Sequence, residues 1–172
     1  MAYSLYDGTI PVLKAALKDT AHLLKMARML PHPNTLLDAR LYEDMKPLTF
    51  QVYTVTKFTE IISARLSGRE AVVYEDDMTS WEEMHARINE VLARVQNTDK
   101  DVVNKLGEEA APTAMGEGVT MDLTGKAYAH GVTIPNILFH VSITYAILRK
   151  EGVPLGKADF IMPFVREYVP RV

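Results

Sequence analysis

The sequence predicts an all-α fold, a bundle of four long helices with a short extended or hairpin excursion before the last of them. Three observations point to it. Apolar residues recur at three- and four-residue steps through three long charged segments, the period of an amphipathic helix. A fourth segment, between Lys126 and Arg149, has no Asp, Glu, Lys or Arg, yet it holds His130, Asn136, His140, Ser142, Thr144 and Tyr145. Just ahead of it Val119, Met121 and Leu123 alternate with Thr120, Asp122 and Thr124, the period of a strand. A helix that is apolar all round is one that other helices surround. The fourth segment is therefore expected to be the most buried and to carry its polar groups inside. Its length approaches the roughly 20 residues that cross a bilayer. Gly131, Pro135, Asn136 and two histidines interrupt it, however, and polar groups in lipid are costly.

The 172 residues suit a single domain spanning the whole chain, 1–172. With 48% hydrophobic and 24% charged residues the composition is that of a globular protein. The net charge of −3, with no basic patch, argues against nucleic acid as a partner. The chain has no cysteine, which rules out disulfides, thiolate metal sites and a cysteine nucleophile. MAYSLYDGTI carries neither a basic nor an apolar leader region, so a cytoplasmic protein is expected.

The first helix is expected over Asp7–Leu30, capped by Thr9 or Asp7, with Pro11 in its first turn and Pro31 and Pro33 ending it. His22 lies on it, partly exposed or hydrogen-bonded. Asn34–Leu41 forms at most a short helix. The second long helix runs from Asp44, its cap, to Leu66, and Gly68 stops it. Leu48, Val52, Val55, Phe58, Thr59, Ile62 and Leu66 mark its inner face, and Gln51 shares the stripe of Val55, Phe58 and Ile62. Ala71–Tyr74 is a short extended piece. The third helix starts at the Ser80–Glu83 capping box and ends near Asn97, with Trp81 and His85 as packing residues. Thr98–Lys126 is the least helical part, extended over 116–126. Gly116-Glu117-Gly118 lacks the strand–glycine–helix setting of a phosphate loop. The fourth helix covers Thr133–Lys150. The tail, with Phe160, Ile161, Met162, Phe164, Val165 and Tyr168, packs over the bundle or a second subunit.

Particular residues go further. DARLYEDMKPLTFQV, ARLSGRE, TSWEEMHARI and IPNILFHVSITYAILRKEGVPLGKADF closely resemble the DUF1993 family, which is related to the DinB-like metal-binding bundles. The resemblance covers nearly the whole chain and is weakest between Asn97 and Thr124. It implies a DinB-like four-helix bundle. DinB-like proteins typically hold a divalent metal with three histidines, one on the second helix and two spaced i, i+4 on a later one, where both imidazoles share a face. Here His140 stands in the matching relation to Leu148-Arg149, but its i−4 partner is Asn136 and the second-helix position is Gln51. Amide oxygens are poor ligands for zinc or nickel, so no bound metal and no other cofactor is expected.

Gln51, Asn136 and His140 facing one another would either form a self-satisfied network that fixes helix register or line a pocket for an organic ligand. In the second case the chain binds, and as an enzyme converts, a small, largely apolar molecule by isomerisation, cyclisation or dehydration. His140 is the acid–base group. Asn136 and Gln51 orient a carbonyl or stabilise an enolate. Tyr145 is a candidate catalytic partner, and Tyr53 and Tyr128 are candidate ligand contacts. Two other readings stay open: a metal-dependent transferase recruiting His130 or His22, and a non-catalytic homodimeric interaction protein.

Overall fold

The computed structural model describes residues 2–169. It is mainly helical with one small hairpin. Helix α1, Leu5–Ala27, begins two residues earlier than expected. Asp7 is not its cap but the acidic end of a capping box, its Oδ2 accepting from Ser4 N–H at 3.0 Å and Ser4 Oγ at 2.8 Å. Pro11 consequently falls inside the helix instead of in its first turn. A single 3-10 turn, Pro33–Leu36, replaces the short helix. Helix α2, Leu48–Ser67, starts after Pro47 and not at Asp44, and it ends at Gly68, whose φ of +68° suits glycine. Helix α3, Trp81–Gln96, opens on the Ser80–Glu83 box, with Ser80 Oγ accepting from Glu83 N–H at 3.3 Å and Glu83 Oε2 accepting from Ser80 N–H at 3.1 Å.

The region read as least helical contains a further short helix, α4, Lys100–Leu106, capped by Asp99. Strands β1, Ala110–Gly116, and β2, Val119–Thr124, then pair antiparallel, Thr113 opposite Met121. The alternation at Val119–Leu123 identified β2 alone. Arg65 of α2 holds the hairpin, donating to Thr113 Oγ1 at 2.7 Å and to the Leu123 carbonyl. A helical run from Gly125 to Lys150 follows: α5, Gly125–Tyr128, a π-helical turn Ala129–Thr133, and α6, Ile134–Lys150. Gly125 is required here, because a Cβ would lie 2.7 Å from the Leu106 carbonyl oxygen and 2.9 Å from Leu66 Cδ2. Pro135 lacks the N–H that would continue the ladder, and the helix widens just ahead of it. Thr133 Oγ1 fills that turn by donating to the Ala129 carbonyl at 3.1 Å.

The long helices pack in a ring, α1 on α3, α3 on α2, α2 on α6 and α6 on α1, while α1 also touches α2. A twelve-residue helix, α7, Lys157–Tyr168, joins them by lying on α1, so the tail adds a helix to the four expected. The most buried helices are not the last one. Twelve of the 23 residues of α1 and twelve of the 20 in α2 are buried, against six of 17 in α6. Lack of charge made α6 look enclosed, but one face of it is open.

Helix α7 sits on α1 through Glu167, paired with Lys14 at 2.9 Å and with Lys18, and through Asp159 on His22 at 2.9 Å. Asp19 of α1 is fully buried, and neither carboxyl oxygen has a hydrogen-bond partner among the described residues. Burial, and secondarily the charge of Asp159, pushes its pKa from 3.8 up to about 8. The unfolded chain loses this proton near its ordinary value while the folded chain keeps it. Stability is therefore free of the penalty below pH 3.8 and falls as pH rises toward 8, by about 1.4 kcal/mol per unit for one proton. Asp19→Asn should flatten the fall in urea midpoint between about pH 7, above the ordinary histidine value of about 6.5, and about pH 8. Equal slopes in both proteins would show that Asp19 is ionised when folded.

Candidate functional site

Helices α2 and α6 meet at Gln51 and His140. Gln51 is buried in the first turn of α2, where its Nε2 donates to the carbonyls of Lys46 at 2.9 Å and Pro47 at 3.3 Å. Those two acceptors fix which end of the amide is oxygen. Oε1 then lies 2.7 Å from His140 Nδ1 and can only accept, so Nδ1 carries the proton. Nε2 is left as the unprotonated nitrogen, and no described side chain bonds it. Burial holds the imidazole pKa below its ordinary value, so the ring is neutral at pH 7.

The ring sits in an aromatic setting. Phe139 meets it edge-on at 5.2 Å between centroids and Phe50 at 6.1 Å, while Tyr53 lies 5.8 Å from Phe50. Lys46 Nζ stands 5.5 Å over the Phe50 ring. Phe50 and Phe139 were not singled out in the sequence, although each immediately precedes a site residue. Phe139 is 54% exposed, so this is a shelf open to solvent.

The remaining candidates divide. Asn136, half-buried one turn before His140 on α6, makes no side-chain hydrogen bond among the described residues. Tyr53 accepts from Lys57 Nζ at 3.1 Å and lines a cleft of about 240 Å³ with Ile61, Val72 and Tyr74. Tyr145 lies on another flank of α6, edge-on to Phe160 of α7 at 6.1 Å. Tyr128 is buried under the Arg65 guanidinium, 5.1 Å from its ring. Arg65 is fourteen residues beyond Gln51, about 21 Å along the helix. Neither tyrosine joins His140. His22 is held by Asp159, and His130 is exposed at the π turn. Two other clefts, about 400 Å³ between α1 and α7 and about 250 Å³ beside α3, are not lined by the Gln51–His140 pair either.

These side chains do not fit a three-imidazole metal centre. His140 offers one nitrogen, and the Gln51 oxygen already accepts from the ring's N–H. No three His, Asp or Glu side chains converge among the described residues. The arrangement presents one basic nitrogen, oriented from behind, beside apolar rings.

The tautomer is directly testable. Nitrogen-15 NMR at neutral pH should find His140 protonated at Nδ1. Gln51→Leu should release that preference and cost about 1–3 kcal/mol through unpaired buried groups. A dominant Nε2–H form in the unaltered protein would contradict the assignment.

Comparison with known proteins agrees with this architecture. The crystal structure of a DinB family member protein from Shewanella denitrificans superposes with a TM-score of 0.82 at 28% identity, covering 91% of each chain. No curated protein matches the sequence. The family model described as a domain of unknown function (DUF1993) matches residues 5–161. That match leaves only the two ends of the sequence uncovered, and the chain belongs to the DUF1993 family.

Proposed function

We propose that the protein binds a small, largely apolar organic molecule on the α2–α6 shelf and moves a proton on it, in an isomerisation, cyclisation or dehydration. The observation that supports this most is the His140–Gln51 hydrogen bond at 2.7 Å, which leaves Nε2 free beside Phe50 and Phe139. Nε2 takes a proton from the substrate, and the resulting imidazolium keeps its Nδ1–H on Gln51 Oε1. The same ring then returns the proton elsewhere on the molecule. Gln51 acts as a positioning residue, because both ends of its amide are engaged within the protein. Asn136, with a side chain not engaged by the protein, is the group to meet a substrate oxygen.

A metal-dependent transferase is disfavoured by the donor set. Purified protein should hold far less than one equivalent of zinc or nickel. Retention of stoichiometric metal after dialysis, lost in His140→Ala, would return the transferase reading to first place.

Thermal-shift screening against apolar carbonyl compounds, followed by turnover assays on the hits, tests the main reading. His140→Ala should abolish the shift or reduce turnover by roughly 10²–10⁴-fold, the range of a general acid–base residue. Unchanged binding and turnover in a folded His140→Ala protein would remove this histidine from the site. The open face of α6 supports a second reading, an interaction protein, for which no compound would be turned over.

A further inference from the structure

Lys57 is a half-buried cation on α2, and none of the ion pairs among the described residues includes it. Its Nζ instead stands 5.2 Å over the Tyr53 ring and donates to the Tyr53 hydroxyl at 3.1 Å. A ring face attracts a cation but does not neutralise it. An ammonium carries three protons and a phenol one. The Tyr53 bond uses one ammonium proton, and no described acceptor takes the proton of the phenol.

Both groups line the cleft of about 240 Å³ formed with Val72 and Tyr74. Its other walls are apolar or already engaged. Ile61 and Val72 present hydrocarbon, and the Tyr74 hydroxyl donates to Glu90 at 3.1 Å. Glu75 opposes Lys57 in sign from an exposed place on the rim, without pairing with it. The unspent donors of this cleft are therefore one ammonium and one phenol, side by side.

The cleft is continuous with the shelf. Phe50, Tyr53, Lys57 and Ile61 recur at three- and four-residue steps and share one half-buried face of α2. Tyr53 lies 5.8 Å from Phe50, which in turn lies 6.1 Å from His140. Lys57 is six residues past Gln51, about 9 Å along the helix. A cleft of this size is smaller than the pockets that enclose a whole organic ligand, and it suits one end of a ligand whose remainder lies along Phe50.

We infer that Lys57 and Tyr53 hold the carboxylate of an apolar carboxylic acid whose chain runs over Phe50 toward His140. The two carboxylate oxygens accept from the Lys57 ammonium and the Tyr53 O–H, and the bond from the cation is charge-assisted. Lys46, 5.5 Å over Phe50, adds positive potential along the way but is exposed, with no hydrogen bond to fix its Nζ among the described residues. This names the substrate class of the shelf, a keto or enone acid with its reactive carbonyl about 9 Å from its carboxylate. That step rests on the proposed role of His140, whereas the grip on the carboxylate does not.

Isothermal titration of the purified full-length protein with octanoate, octanamide and octylamine tests the grip, since the three share one apolar chain and differ in charge. Octanoate should bind at least about tenfold more tightly than octanamide, the worth of a hydrogen bond to a charged group, and octylamine no better than octanamide. Lys57→Met should abolish that preference and Lys57→Arg should keep it. Tyr53→Phe should weaken octanoate binding several-fold, Glu75→Gln should tighten it, and Lys46→Met should leave the preference intact. No octanoate binding, equal affinity for octanoate and octanamide, or a preference that survives in folded Lys57→Met would overturn the inference. So would a preference lost in Lys46→Met. The comparison of ligands on the unaltered protein decides even where a variant fails to fold. His140→Ala should bind octanoate as before, because octanoate offers the base no acidified proton. Failure of the grip is thus read from octanoate binding, and failure of the proposed acid–base role from turnover in His140→Ala.

Discussion

Helix α2 buries as many polar residues as apolar ones, and much of the structure follows from how those polar groups are satisfied. Gln51, Thr54, Thr56, Thr59, Glu60 and Ser63 are all out of solvent. A buried polar group left unmet costs about 1–3 kcal/mol. Thr54, Thr56 and Ser63 solve this locally by donating to carbonyls of their own helix, whereas the Thr59 hydroxyl has no partner among the described residues. The Gln51 oxygen and the Glu60 carboxylate find no donor in their own helix, and each reaches for a neighbour. Gln51 bonds His140 and so fixes α6 against the first turns of α2. Glu60 accepts from Arg69 Nη2 at 2.9 Å and Val72 N–H at 2.9 Å, pinning the chain that leaves α2 back onto it. Burial works against the Glu60 charge, and these donors outweigh it, holding the carboxyl below its ordinary range. Arg65, five residues beyond Glu60, carries the hairpin.

Asp19 on α1 shows the other outcome. With no donor to meet it, the carboxyl keeps its proton instead of its charge. The two buried acids differ by whether a guanidinium lies in reach. Glu60 strengthens the fold as an ion, and Asp19 is tolerated only as a neutral acid.

How much of this the sequence disclosed depended on whether two independent signals coincided. Helix α3 was legible at both ends because its apolar period and its Ser80–Glu83 box agree. The starts of α1 and α2 were displaced because Asp7 and Asp44 are good cap residues, whereas the working caps are Ser4 and Pro47. Helix α4 is seven residues long, too short for a period to declare itself. Strand β1, with Ala-Ala-Pro-Thr-Ala, shows no alternation of its own and is defined by pairing with β2. Gln51 was legible from the stripe it shares on α2, and His140 from its relation to Leu148-Arg149 in the family resemblance. The tyrosines were not, because Tyr145 points toward α7 and Tyr128 lies at the far end of α2, which one-dimensional spacing does not register. The burial of α6 was misread because an absence of charge permits burial without requiring it.

The chemistry open to His140 is narrowed by what stands behind it. A carboxylate on Nδ1–H would stabilise the imidazolium and make Nε2 a stronger base. Gln51 supplies the same orientation without the charge, and burial further disfavours protonation. The imidazole is thus kept ready in its neutral form over a wide pH range, at the expense of basicity. Such a base is matched to protons already acidified by conjugation, those beside a carbonyl or on an extended enone, and is poorly matched to a simple hydrocarbon. The apolar rings of Phe50 and Phe139 suit the carbon frame of a conjugated carbonyl compound, and the unengaged Asn136 amide suits its oxygen. Under the proposed function, a neutral amide behind the imidazole therefore favours enolisation and the ring closures or eliminations that follow from it, and disfavours reactions that need a strong nucleophile.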